Sequence, residues 1–199
     1  ASISGQILRV AKLASDGKLR SINTAVPADF ASTDVTNFQK NLRDNNLFDY
    51  PLSLSVADSI TALLKSDPTE QQNVLTNLQR LDSTGLLKSI YVVDQGQIAS
   101  LSISDASTLS LRLESIGLGN KILPMKVSAK GSDFGPATEP PVTKQRPYYF
   151  PNLGDLSALA GKGRLIMPPQ IDLSDMNNNL VDQVDLKAQL VNLGLMQPG

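Results

Sequence analysis

Apolar positions recur with a helical period through the first half of the chain and with a period of two through its middle. From Asp34 to Asn45, Val35, Phe38 and Leu42 fall at i, i+3 and i+7 behind Ser32 or Thr33 as cap, the pattern of an amphipathic helix. Ser55 followed by Asp58 resembles a capping box, and Val56, Ile60, Leu63 and Leu64 continue it as a stripe ending near Ser66. Asp67-Pro68-Thr69-Glu70 then supplies an acidic cap, a proline at the first helical position and a glutamate at the third, followed by Val74, Leu78 and Leu81. Gly85 suits the stop. Three helices are expected between about 34 and 84.

Beyond Gly85 the alternation predicts strands at Ser89–Asp94, Gln97–Ser104, Leu109–Ile116 and Lys121–Lys130, separated by turn-forming residues. In Leu109 to Ile116 the leucines alternate with Ser, Arg and Glu, which suits a sheet with one face in a core and one in water. Short connections make these four strands an antiparallel meander. The first residues read as two extended segments, Gln6–Leu13 and Leu19–Ile22, turning at Ser15–Lys18, where Gly17 supplies positive φ.

A loose recurrence overlies this pattern. Three stretches near Asn37, Asn73 and Leu109 each run from a leucine-bearing segment into an extended one, about 36 residues apart. A helix–strand repeat explains the first two, whereas the third alternates like a strand.

Between Lys130 and Asn152 the composition shifts, with Pro136, Pro140, Pro141, Pro147 and Pro151 close together. Proline cannot sit in central strands, so this reads as an extended arm, a long loop or a linker. A short helix over Asp155–Ala160, a strand over Gly163–Met167 stopped by Pro168-Pro169, and a final helix from Asn179 onward follow. The expected architecture is α+β: an N-terminal half with helices, the meander, a proline-rich arm and a C-terminal amphipathic helix. The domains are expected as a core over 1–130, the arm over 131–152 and a C-terminal segment over 153–199, packing on the core or on a neighbouring subunit.

Composition narrows the chemistry. At 199 residues, 41% apolar and 19% charged, with 18 basic against 19 acidic side chains, the chain has the make-up of an ordinary globular protein and no bias toward a polyanionic partner. No run approaches the roughly 18 apolar residues that span a bilayer, so a soluble chain is expected. Ile3 to Leu13 is too interrupted by Gly5, Gln6, Arg9 and Lys12 to form the apolar core of a signal peptide. Cysteine and histidine are both absent, which removes disulfides, thiolate and imidazole metal sites, and catalytic triads.

The candidate motifs are few. Asp175, Asn177 and Asn179 sit as the first ligands of an EF-hand loop would, but Leu180 and Leu186 occupy the positions that need glycine and a bidentate glutamate. Val181, Val184, Ala188, Val191 and Leu195 instead repeat at spacings of 3 and 4, the seam of a helix capped by Asn179. A weak, irregular cation site at Asp172 and Asp175 is the remaining metal reading. Ser15–Lys18 fits Ser-x-x-Lys but straddles a turn, and Gly161-Lys162-Gly163 lacks the rest of a phosphate loop. In the arm, Lys144 and Arg146 precede Tyr148, Tyr149 and Phe150, three of nine aromatic residues. Stiff backbone and aromatic rings suit a protein–protein contact at low entropic cost, while the competing reading has the rings plug their own core. Arg9, Lys12, Lys18 and Arg20 against Asp16 make the N-terminus locally cationic.

No metal, cofactor or catalytic group is predicted, and nucleic acid is an unlikely partner by composition. The expected function is a non-enzymatic structural or assembly subunit, a virion component or part of another protein array. It would self-associate through the arm (Lys144, Arg146, Tyr148, Tyr149, Phe150) and the terminal helix (Val181, Val184, Val191, Leu195). The alternatives are a secreted or surface module binding protein or carbohydrate, and a carboxylate-based enzyme; the compartment stays open between virion and extracellular.

Overall fold

All six α-helices of this protein end on one signature, a leucine four residues before a left-handed glycine or asparagine. In the computed structural model, which describes residues 3–24, 30–95, 97–135, 150–176 and 180–197, six α-helices are present: α1 (Ile3–Ser15), α2 (Val35–Asp44), α3 (Pro68–Ser83), α4 (Ile103–Ser115), α5 (Pro151–Gly161) and α6 (Leu180–Asn192). Each closes with the same pair of hydrogen bonds. The carbonyls of Leu13, Leu42, Leu81, Leu113, Leu159 and Leu190 accept from the amide five residues on, at 2.8–3.0 Å, and the residue before that amide has positive φ. That residue is Gly17, Asn46, Gly85, Gly117, Gly163 or Gly194. This is the Schellman stop, which satisfies the last carbonyls by turning the backbone left-handed, where glycine pays no Cβ penalty.

The chain divides into two compact units, 1–97 and 98–199. In the first, β1 (Ile22–Asn23), β2 (Leu52–Ser59) and β3 (Leu87–Asp94) pair in parallel, in the order β1-β2-β3-β4, with α2 and α3 as the crossovers. β4 (Gln97–Ile98) lies at the unit boundary. Only Gln95 and Gly96 join it to β3, too few for a parallel crossover, so the sheet is mixed. In the second unit β5 (Ser100–Leu101), β6 (Lys126–Lys130) and β7 (Gln170–Asp172) are all parallel, joined through α4 and α5.

The expected mixture of helix and sheet is present, but the antiparallel meander is not. Leu109–Ile116, read as a strand, lies in α4, where Leu109 and Leu113 are buried at i and i+4 and Leu111 points to water at 59% exposure. A short alternating leucine run fits both periods. The cap decides: Ser102 Oγ accepts from Asp105 N at 3.0 Å. The third copy of the recurrence is therefore helix then strand, like the first two.

The helix expected over Ser55–Ser66 is instead β2 followed by a π-turn at Thr61–Lys65. Leu54, Ser55, Val56, Ala57 and Asp58 are all buried because β2 lies between β1 and β3, and that placement overrides the local capping signal. The extended reading of Gln6–Leu13 is also corrected, since these residues form α1 and Gly17 ends a helix rather than a hairpin. The helices expected around Val35 and after Pro68 are found, with Asp67 Oδ1 accepting from Thr69 N and Glu70 N at 2.9 and 3.1 Å. Residues 136–149 of the arm lie outside the described residues; its ends, Gly131–Phe134 and Phe150, belong to the second unit.

Candidate functional site

Alternation along three short strands builds an open polar surface in the second unit. Leu101, Val127 and Ala129 are buried on one face of the sheet. Ser100, Lys126, Ser128, Lys130, Gln170 and Asp172 take the alternate positions and are half-buried or exposed. Side chains two apart on a strand share a face, and parallel pairing sets equivalent residues side by side. A ladder results: the Ser100 and Ser128 hydroxyls are 2.5 Å apart, and Ser128 Oγ donates to Gln170 Oε1 at 3.2 Å. An open cleft of about 660 Å³ borders the β6–β7 part of the sheet, lined by Ser128, Ala129, Lys130, Asp133, Gln170, Ile171 and Asp172.

The first unit uses the same device inside its core. Thr24 Oγ1 accepts from Ser55 N at 2.7 Å, and Ser89 Oγ donates to Ser55 Oγ at 2.8 Å across paired strands. There the ladder is buried; in the second unit it faces solvent. Parallel sheets are ordinarily covered on both faces, so a face whose side chains are half-buried or exposed among the described residues offers a surface for contact.

The acids beside the cleft serve the backbone. Asp175 accepts from Gly131 N at 2.9 Å through Oδ1 and from Ser132 N at 3.1 Å through Oδ2. Hydrogen bonds from the Ser132 hydroxyl, and then from the Ser132 and Gly131 amides, hold its carboxyl below the usual range against the opposing effect of burial. Asp172 accepts from Ser174 N at 2.9 Å, and its bonds to Ser174 likewise lower its pKa. Both are ionised acceptors near neutral pH, and neither is poised as a general acid. Each Asp175 oxygen accepts one backbone amide, and no group of three metal-binding side chains occurs among the described residues.

Gly131 is required for this anchor. A Cβ there would press into the Met176 side chain and come within 2.8 Å of Asp175 Oδ1. Gly131→Ala is therefore expected to push the turn at Ser174–Met176 away and cost about 1–3 kcal/mol, as overpacking does. Gly154→Ala meets nothing within 4 Å inside α5 and should be neutral or slightly stabilising. Urea unfolding followed by circular dichroism separates the two.

The residues singled out in the sequence are scattered by the fold. Lys144, Arg146, Tyr148 and Tyr149 lie outside the described residues. Phe150 is 1% exposed and packs within its own unit. Of the terminal seam, Val181's side chain is not described, Val184 is 63% exposed, Val191 is half-buried and Leu195 is buried. The face of α6 that packs is that of Leu186 and Leu190, both fully buried. The 3-4 count from Val181 is thus one step out of phase with burial, an ambiguity in a helix apolar on two sides. The ladder itself was missed because its serines come from strands 28 residues apart, and only the pairing unites them.

No family model matches the chain, and no curated protein or solved structure does either.

Proposed function

We propose that the chain is a non-enzymatic structural or assembly subunit, of a virion or another protein array, that makes protein–protein contacts. The observation that carries this reading is the ladder-lined face of the second sheet, whose side chains are half-buried or exposed among the described residues. Repetition supports it: six helices share one stop signal, the first five lead on to parallel strands, and this resembles the modular build by which repeat proteins present extended binding surfaces. The distribution of acids favours contact over catalysis. Asp172 and Asp175 are committed to backbone amides, and Asp58, whose carboxyl burial pushes up to about 6, is only 2% exposed. A second reading, a surface module for protein or carbohydrate, is favoured by the open cleft of about 660 Å³. Among the described residues no helix is long and apolar enough to cross a membrane.

Light scattering after size exclusion tests the proposal. The intact chain should show a concentration-dependent mass above 21.3 kDa, and Ser128→Glu, placed on the open face, should lower it without unfolding the protein. Deleting 136–149, which retains buried Phe134 and Phe150, separates an arm contribution from that of the sheet. A mass of 21.3 kDa at every concentration would overturn the reading.

A further inference from the structure

A carboxylate sealed inside the first unit holds the entry to α2. Phe30 is buried edge-to-face on Phe38, with ring centroids 5.1 Å apart, and its carbonyl accepts from Ala57 N of β2 at 2.9 Å. Two residues on, Ser32 is 1% exposed and donates both its amide and its hydroxyl to Asp58 Oδ1, at 2.9 and 3.0 Å. The other oxygen of Asp58, Oδ2, is buried with no hydrogen-bond partner among the described residues. The carboxyl thus bridges 26 residues of sequence and ties the segment 30–34 to a central strand.

We propose that the Ser32–Asp58 contact is a proton-controlled latch, closed over β2 when the Asp58 carboxyl is protonated and loosened when it ionises. As an acid, Asp58 still accepts both Ser32 bonds through Oδ1 and buries no charge. As a carboxylate, it places a charge in a water-poor core with Oδ2 uncompensated, and opening the segment gives that charge to solvent.

The charge shown to act on it does not relieve it. β1 carries none; β3 carries Lys88, Tyr91 and Asp94, the π-turn Lys65, and the turn at Ser32–Asp34 carries Asp34. Asp34 acts on Asp58, and its negative charge opposes ionisation. Burial is the larger cause, the two Ser32 bonds oppose it, and the balance pushes the carboxyl up to about 6 from 3.8. A raised acid pKa means the closed form binds more protons than the open one between those values. The latch weakens as pH rises through that window and stays weak above it.

Amide hydrogen exchange, corrected for intrinsic rates, reads the latch directly at Ser32 N–H and Ala57 N–H. Protection at these amides should fall about tenfold from pH 5 to pH 7.5, the factor that two titrations at 3.8 and about 6 give over that interval. Asp58→Asn keeps the acceptor for Ser32 and removes the charge, so its protection should be the same at both pH values. Wild-type protection that does not change, or an unchanged dependence in D58N, would overturn the latch. The Asp58 carboxyl carbon, titrated by NMR in the wild-type chain, needs no variant; a midpoint in the ordinary aspartate range overturns it as well.

Discussion

Replacing Phe150 with alanine is expected to lower the stability of the second unit by about 3–5 kcal/mol, the usual cost of removing a fully buried phenylalanine and leaving a cavity. The ring is 1% exposed immediately before Pro151, and the Phe150 carbonyl accepts from Leu153 N at 3.1 Å, so the residue both fills the core and opens α5. Val184→Ala, at 63% exposure, should change stability by less than about 0.5 kcal/mol. Urea unfolding measures both, and light scattering of the folded variants measures association. Phe150→Ala protein with undiminished stability but lost association would make the ring an interface group and defeat its assignment to the core.

Three leucines in a row of alternate positions give the second large effect. Leu109→Ala and Leu113→Ala should each cost about 2–5 kcal/mol, while Leu111→Ala between them should cost less than about 0.5 kcal/mol. A strand would put all three on one face and make the costs alike. A helix turns Leu111 roughly 160° away from the buried pair, since each residue advances about 100°. Leu113 carries a further role because its carbonyl receives Leu118 N at 2.8 Å in the helix stop. Equal losses at the three positions, in the same unfolding experiment, would restore the strand.

These cases show where sequence was sufficient. The cap of α3 was legible because Asp67, Pro68 and Glu70 act within one turn, and their hydrogen bonds need nothing distant. Gly85 was legible as a stop for the same reason. The wider signature, a leucine four residues before a glycine or asparagine, ends all six helices, yet its spacing there varies from 29 residues (Leu13 to Leu42) to 46 (Leu113 to Leu159), and it also stands at Leu19–Asn23, Leu173–Asn177 and Leu195–Gly199, which end none of them. A search for a fixed period passes over it. Of the candidate site, the acids at Asp172 and Asp175 were noticed as possible ligands, but their service to the backbone of Gly131, Ser132 and Ser174 depends on contacts up to 44 residues away.

By itself the sequence determined the local starts and stops, the mixture of helix and strand, and the absence of thiol and imidazole chemistry, because each follows from side-chain type or from bonds within a single turn. Tertiary structure alone decided that Ser55–Asp58 is a central strand and that strands pair in parallel. It also decided which side of α6 is buried, and that one serine ladder is sealed while another is open. The reason is physical: capping and periodicity are set by neighbours along the chain, whereas strand pairing and burial are set by neighbours in space, and β2 follows its flanking strands over its own capping box.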